Sequence, residues 1–241
     1  MIPLHDTIPR RSSPFVTWII IFINLLFFMI ELSLPEPLLR KLIFYLGIVP
    51  ARYTYPGWPE EGLSYWPFLT NMFLHGGWLH FVGNMWTLWI FGDNVEDRLG
   101  HLRYAFFYIT CGIVASLTHI VFNAHSIVPA IGASGAIAGV MGAYFVMFPY
   151  SRVITLVPIF FFPWIIEVPA VLFLGFWFLS QFFSGTLAII APEAGGGIAW
   201  WAHVGGFVTG VIMGPLLKKA NRKYRQHYPD EWVPVRYLHR T

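Results

Sequence analysis

Six long apolar stretches alternate with polar segments along the chain. The first covers residues 14–34 and contains one acidic residue, Glu31. The other five lie at residues 78–92, 104–122, 130–148, 168–190 and 199–217. Since a helix of about 20 apolar residues crosses the hydrocarbon core of a bilayer, this pattern predicts an all-α polytopic membrane protein with six transmembrane helices.

A seventh apolar stretch, residues 153–165, is predicted not to cross the membrane. It has 13 residues and contains Pro158 and Pro163, and proline interrupts a helix. With six spans and a cytoplasmic N-terminus, 12 Lys and Arg residues lie inside and 3 outside, whereas a seventh span would change these numbers to 5 and 10. Cytoplasmic segments carry the excess of Lys and Arg, so the charges favour six spans with both termini in the cytoplasm.

This topology divides the chain into three parts. Residues 1–13 form a cytoplasmic N-terminus, residues 14–217 form the membrane domain with a long first outer loop, and residues 218–241 form a basic cytoplasmic tail. The first apolar stretch is too long for a signal-peptide core and has no clear small-residue cleavage site after it. It is therefore expected to stay in the membrane as an anchor.

The composition agrees with a membrane protein and narrows the function classes. Of the 241 residues, 56% are hydrophobic and 11% are charged, whereas soluble domains average about 25% charged residues. The net charge is +3 and no long basic block precedes the C-terminus, which argues against a nucleic-acid partner. Cys111 is the only cysteine, so a disulfide framework is excluded.

Two of the predicted helices carry glycines at helical spacing. Gly135 and Gly139 lie on the fourth span, and Gly206, Gly210 and Gly214 lie on the sixth. Stripes of small residues four positions apart allow membrane helices to approach closely. The pattern therefore predicts that the fourth and sixth spans touch backbone to backbone.

Polar residues within the spans indicate a chemical site. The predicted contact would bring Ser134 within hydrogen-bond reach of His203, the pairing by which a base activates a serine hydroxyl. His80 and Asn84 are four residues apart on the second span, so they share a helix face and can donate to one point. Ser134 is on the fourth span and His203 on the sixth, and both spans run in the same direction as the second. This puts Ser134, His203, His80 and Asn84 at a similar depth near the outer ends of their helices. The sequence predicts a serine–histidine site there.

Other chemistries find little support in the sequence. No H-E-x-x-H zinc motif is present, and no cofactor is expected. An aspartyl site is not favoured because Asp93, Glu96 and Asp97 cluster in the predicted inner loop. Cys111 has no charged neighbour in the sequence and is predicted to be a core thiol. A third, carboxylate member of a catalytic triad is missing, so the residues permit a Ser–His dyad.

His75 is assigned a structural role. It lies five residues before His80, and Gly76 and Gly77 between them favour a break in the helix. The two imidazoles would then not share a helix face. His75 is therefore predicted to be a structural hydrogen bonder beside the site.

Four separated motifs resemble the rhomboid intramembrane serine proteases, over about residues 60–217. They are His75-x4-His80-x3-Asn84, the segment Gly-Asp-Asn-Val-Glu-Asp-Arg-Leu-Gly at residues 92–100, Gly132-Ala-Ser134-Gly135, and Ala202-His203-x2-Gly206-x3-Gly210. The resemblance implies a six-helix rhomboid bundle with a long first outer loop and a short, serine-bearing fourth helix.

The resemblance also implies roles for individual residues. Ser134 would be the nucleophile and His203 the general base, which then acts as the acid for the leaving amine. His80, Asn84 and the backbone N–H of Ser134 would form the oxyanion hole. The glycines that flank these residues would shape the site, and they are Gly132, Gly135, Gly206 and Gly210.

Two positions depart from the family pattern. Ala138 stands four residues after the serine, where some bacterial rhomboids have a Tyr stacked on the catalytic His, and Trp66-Pro67 stands where they have Trp-Arg. Neither change removes a catalytic group. The residue that orients His203 is not identified by the resemblance.

The expected substrates are single-span membrane proteins. A helical backbone hides its carbonyl groups, so substrate spans should contain Gly or Pro that weaken the helix near the cut. The fifth span is the candidate lateral gate, with Phe173, Phe176, Trp177 and Gln181, and the alternative is that its aromatics are ordinary lipid-facing residues. The expected location is a bacterial or archaeal cell membrane.

Two alternative functions share parts of this pattern. A catalytically impaired rhomboid relative that binds or escorts membrane clients would have the same fold but should lack the Ser or the His. A transporter or proton channel using the histidines is less well supported, because the sequence shows no clear internal repeat.

Overall fold

The computed structural model describes residues 1–58, 64–159, 162–190 and 198–219, and most of them are helical. The helices are α1 (Phe15–Ser33), α2 (Glu36–Leu46), α3 (Pro50–Thr54), α4 (Pro67–Thr70), α5 (Trp78–Leu99), α6 (His101–Phe122), α7 (Ser134–Met147), α8 (Ala170–Ile190) and α9 (Trp200–Leu217), with a 3₁₀ turn at Asn71–Phe73. The strands are β1 (Ile2–Asp6), β2 (Arg152–Ile159) and β3 (Phe162–Pro169). Residues 220–241 of the predicted tail and residues 59–63 of the first loop lie outside the described residues.

The predicted spans coincide with helices α1, α5, α6, α7, α8 and α9. Four of them, α1, α6, α8 and α9, are long and apolar enough to cross a membrane. α5 is long, but its second half carries Asp93 and Glu96. α7 is apolar and has only 14 residues, about 21 Å of helix. The chain is therefore a mostly helical integral membrane protein.

α7 is the central helix, and its residues from Gly135 to Tyr144 are all buried. A Cβ atom built on Gly206 would collide with the carbonyl oxygen of Gly135, and one built on Gly210 would collide with that of Gly139. The backbones of α7 and α9 are therefore in direct contact, as the glycine stripes predict.

The prediction of an all-α protein was wrong in one respect. The three strands form an antiparallel sheet in the order β1–β2–β3, with Asp6 paired to Val153 and Pro158 paired to Pro163. β-branched residues favour strands, and β2 contains Val153, Ile154, Thr155 and Val157. The segment that is too short and too rich in proline to cross the membrane is a β-hairpin, and residues 1–13 supply its third strand.

Glu96 joins α5 to the beginning of α1. Its carboxylate accepts hydrogen bonds from the backbone N–H groups of Val16 (2.9 Å) and Thr17 (2.8 Å) and from the Thr17 hydroxyl (2.7 Å), and it contacts His101 Nδ1 at 2.6 Å. The first N–H groups of a helix lack partners within the helix, and its N-terminus favours a negative charge. The buried carboxylate therefore caps α1 and fixes it against α5.

Asp6 joins the sheet to the helical bundle. Its Oδ2 accepts hydrogen bonds from Asn94 Nδ2 on α5 (2.7 Å) and from the Tyr144 hydroxyl on α7 (2.5 Å). Burial raises the pKa of Asp6 from 3.8 to about 7, although the hydrogen bond from Tyr144 acts in the opposite direction. The strand β1 is thus attached to two helices through one carboxyl group.

The attachment of β1 is expected to depend on pH. The pKa of Asp6 is higher in the folded state than in the open state. The folded state therefore loses stability relative to the open state as the pH rises from 3.8 to about 7. Between pH 5 and pH 8 the opening of β1 should increase by roughly 10- to 100-fold. Hydrogen exchange of the β1 amides, corrected for intrinsic exchange, measures this opening.

The Asp6→Asn variant is the control, because its side chain has no charge to gain. Its opening should show no such rise with pH. An equal pH dependence in both proteins would mean that another group controls the attachment of β1.

Candidate active site

Ser134 is the first residue of α7. The preceding turn depends on Gly132, which has a φ of +131° and donates its N–H to the carbonyl of Asn71 (2.9 Å). Side chains other than glycine rarely adopt this conformation. Because the first N–H groups of a helix lack partners within the helix, the backbone N–H of Ser134 lies beside its own hydroxyl as an available donor.

The hydroxyl of Ser134 and the imidazole of His203 are in contact. Oγ and Nε2 are 2.8 Å apart, a normal hydrogen-bond distance. Ser134 is on α7 and His203 is on α9, so the close approach of these helices produces the pairing that the sequence predicts. An unprotonated Nε2 in this position accepts the serine proton, which is the geometry needed to activate an alcohol as a nucleophile.

Gln181 on α8 contacts the other nitrogen of His203. Its Oε1 is 2.7 Å from His203 Nδ1, and the residue is 7% exposed. The Trp177 ring lies 5.8 Å from the imidazole between ring centroids. Sequence reasoning placed Gln181 on the predicted gate helix but missed its contact with the base. The available signal was a lone amide within an apolar span, because such groups need a partner.

His80 lies beside Gly132, two residues before Ser134. The backbone N–H of Gly76 donates to His80 Nδ1 (3.3 Å), which leaves the ring proton on Nε2 as a donor. A Cβ atom built on Gly132 would lie 2.7 Å from that Nε2 and 3.5 Å from Ser134 Oγ. The imidazole therefore lies over Gly132, with its donor close to the serine.

Asn84 follows one turn further along α5. It is 8% exposed, and within the described part of the chain its Nδ2 has no hydrogen-bond partner. A buried amide without a partner costs free energy. Asn84 therefore has an unused donor about one helical turn from His80.

His75 precedes the break that the sequence predicts, since Gly77 has a φ of +144° and α5 begins at Trp78. The backbone N–H of His75 donates to both carboxylate oxygens of Glu31, each at 3.1 Å. Its two ring nitrogens have no partner among the described residues, and the ring packs 5.1 Å from that of His80. The contact of His75 with Glu31 is thus made by its backbone.

The remaining predicted residues differ in their surroundings. A Cβ atom built on Gly135 would lie 2.7 Å from the Cβ of Ala115, so this glycine is needed for packing against α6. Phe176 is 70% exposed. Trp177 is half-buried against His203 and Phe207, whose ring centroid is 6.2 Å away. The two candidate gate residues therefore differ, since only Trp177 contacts the histidine.

A small cavity beside Ser134 has a volume of about 20 Å³, enough for one water molecule. Polar side chains contribute to its lining, namely Asn71, Ser116 and His119. Within the described ranges, no group of three or more His, Cys, Asp and Glu residues is arranged to hold a metal ion. Cys111 is buried. The side chains around Ser134 fit acid–base and nucleophilic chemistry.

Three known proteins illustrate what the chain is similar to. RHOMBOID-like protein 6, mitochondrial, of Arabidopsis thaliana is 33% identical over 65% of this chain and 45% of its own length. Rhomboid protein 1, mitochondrial, of Saccharomyces cerevisiae is 30% identical over 65% and 43%. Rhomboid protease GluP of Bacillus subtilis is 30% identical over 56% and 25%. The chain spans less than half the length of these relatives.

These names change one expectation about location. Two of the three relatives are mitochondrial by name and one comes from a bacterium. They therefore do not favour a bacterial or archaeal cell membrane over an organelle membrane. The integral membrane character is independent of this point, because it rests on the long apolar helices.

The family follows from a match that covers most of the helical bundle. A family model described as Rhomboid domain matches residues 62–220, well over half of the chain. The matched region includes Ser134, His203 and the contact between α7 and α9. The chain belongs to the rhomboid family.

Proposed function

We propose that this protein is an intramembrane serine endopeptidase that cleaves single-span membrane proteins near the outer face of the membrane. The observation that carries the proposal is the 2.8 Å contact between Ser134 Oγ and His203 Nε2, made by two helices packed backbone to backbone. One similar protein is named a rhomboid protease. Both catalytic groups are present, which favours a protease over an impaired relative that only binds clients.

The dyad performs the reaction in two stages. Ser134 Oγ attacks the carbonyl carbon of the substrate while its proton passes to His203 Nε2. His203 then gives this proton to the leaving nitrogen, the C–N bond breaks, and an ester of Ser134 remains. In the second stage a water molecule gives a proton to His203 and attacks the ester, and the serine regains its proton when the acid product leaves.

The oxyanion hole is assigned to three donors. These are Nε2–H of His80, the amide of Asn84 and the backbone N–H of Ser134. Support comes from the hydrogen bond of Gly76 to His80, which directs the ring proton to Nε2, and from the unpartnered Asn84 Nδ2. Donors already in place stabilise the negative charge that develops on the carbonyl oxygen.

The topology proposed for this reaction has six spans and both termini in the cytoplasm. α5 and α7 cross the membrane together with the four long apolar helices, and residues 14–217 form the membrane domain. Residues 1–13 and the basic residues after 217 lie inside, and the first loop lies outside. α7, at about 21 Å, is shorter than the hydrocarbon core of about 30 Å. Its N-terminal serine would then lie within the membrane but close to the outer water.

The substrates follow from the chemistry of a buried peptide bond. A substrate span must unwind to present an extended carbonyl, so spans weakened by Gly or Pro fit best. Lateral entry beside Phe176 and Trp177 of α8 is proposed because both side chains lie on the helix that borders His203. The lipid bilayer surrounds the protein during this reaction, and no nucleic-acid partner is proposed.

Ser134→Ala should abolish cleavage of a model membrane substrate while leaving the unfolding temperature unchanged. His203→Ala should be as damaging as the double variant, because a nucleophile and its base act as one unit, and each loss should exceed about 1,000-fold. Cleavage assays in proteoliposomes and labelling of Ser134 by a fluorophosphonate measure these effects.

Thr209→Val is the matched control on α9, because its hydroxyl donates to Gly205 of the same helix. It should retain cleavage and labelling. Additive losses in the double variant would contradict a dyad, and an unlabelled wild-type protein would favour a client-binding relative or a transporter.

Asn84→Ala should lower kcat by about 10- to 1,000-fold with little change in KM, because its donor acts mainly on the charge of the transition state. Thr87→Val is the control on α5, since that hydroxyl donates to Gly83 within the helix (2.7 Å). A large rise in KM at constant kcat would instead make Asn84 a substrate-binding residue.

Product termini should map to the outer part of the substrate span or just outside it. Ser134 starts α7, and the rest of that helix separates it from the inner face. Mass spectrometry of products from a single-span substrate gives the cut sites, with Ser134→Ala as the blank. Cuts clustered at the cytoplasmic end would overturn the proposed topology.

A further inference from the structure

We propose that Gln181 is the positioning residue of His203, acting as a neutral amide where a catalytic triad has a carboxylate. This inference rests on the proposed function. It identifies the group that orients the base in this chain, which has Ala138 where some bacterial rhomboids have a Tyr stacked on the catalytic His. Gln181 touches no substrate atom in this assignment and acts through the imidazole.

A chain of hydrogen bonds fixes the direction of the Gln181 amide. The Ser180 hydroxyl donates to the carbonyl of Trp177 (2.6 Å), so Ser180 Oγ accepts the hydrogen bond from Gln181 Nε2 (2.9 Å). An amide that turns its nitrogen toward Ser180 turns its oxygen toward His203, and the distance there is 2.7 Å.

The amide oxygen in turn fixes the proton of the imidazole. An amide oxygen only accepts hydrogen bonds, so the proton of neutral His203 must lie on Nδ1. Nε2 is then unprotonated and accepts the Ser134 hydroxyl. One buried amide therefore selects the tautomer that can act as a base toward the serine.

A neutral acceptor suits this part of the membrane protein. Gln181 lies within an apolar helix, where an ionised carboxylate would be costly. The side chain is buried, and both ends of its amide have partners within the bundle. The arrangement orients His203 without placing a charge among the helices.

The experiment compares Gln181→Leu and Gln181→Glu with the wild-type protein. The leucine fills the same space but accepts no hydrogen bond, so kcat and the rate of Ser134 labelling should fall together by about 10- to 1,000-fold at unchanged KM. The carboxylate of the glutamate restores an acceptor oxygen. It also favours a protonated imidazole, so activity should return at high pH while the acidic limb of the pH–rate profile moves to higher pH.

Thr186→Val is the matched control on α8, because its hydroxyl donates to the carbonyl of Phe182 in the same helix. It should keep the wild-type kcat and pH profile. Unfolding temperatures check that each variant folds. The proposal is overturned if Gln181→Leu has the wild-type kcat and profile, or if Gln181→Glu is as inactive as the leucine variant at every pH.

A spectroscopic measurement tests the assignment without using activity. In wild-type protein labelled with ¹⁵N-histidine, the His203 signal, identified by its loss in His203→Ala, should report a proton on Nδ1. A proton on Nε2 would overturn the role of Gln181. Failure of wild-type cleavage and labelling would instead overturn the proposed function, because the tautomer can be read in an inactive protein.

Discussion

The direct backbone contact between α7 and α9 is the interaction on which the candidate site depends. Gly206 lies against the carbonyl of Gly135 and Gly210 against that of Gly139, with no room for a Cβ atom at either position. Lipid gives helices little hydrophobic reason to associate, so this close packing itself holds the pair together. Ser134 and His203 are brought to 2.8 Å because each begins or nearly begins one of these two helices.

The polar groups near this contact are satisfied mainly by one another, and the order of their hydrogen bonds gives each a direction. One chain of hydrogen bonds runs from α8 through α9 to α7, and it joins Ser180, Gln181, His203 and Ser134. His80 is oriented separately, by the N–H of Gly76. Since lipid offers no hydrogen bonds, such networks fix protons as well as positions.

The other end of α7 is held by the sheet. Tyr144 donates to Asp6, which belongs to a strand paired with the hairpin that follows α7. The serine-bearing helix is therefore fixed by its glycine contacts along its length and by β1 beyond its middle. Glu96 supports the same end of the molecule by capping α1. The position of the short helix α7 is therefore set by its contacts with α9 and with β1.

The hydropathy of single segments predicts the six apolar helices, and the spacing of small side chains predicts the contact of the glycine stripes, which in turn predicts the pairing of Ser134 with His203. The tertiary structure alone establishes the sheet, whose strands β1 and β2 are separated by most of the chain. It also decided the partners of three single groups: Gln181 for His203, Glu31 for the backbone of His75, and Asp6 for Tyr144. A hydrogen bond between single polar groups on distant segments depends on where both elements finally pack, and, unlike the glycine stripes, these groups leave no repeated pattern in the sequence that indicates the partner.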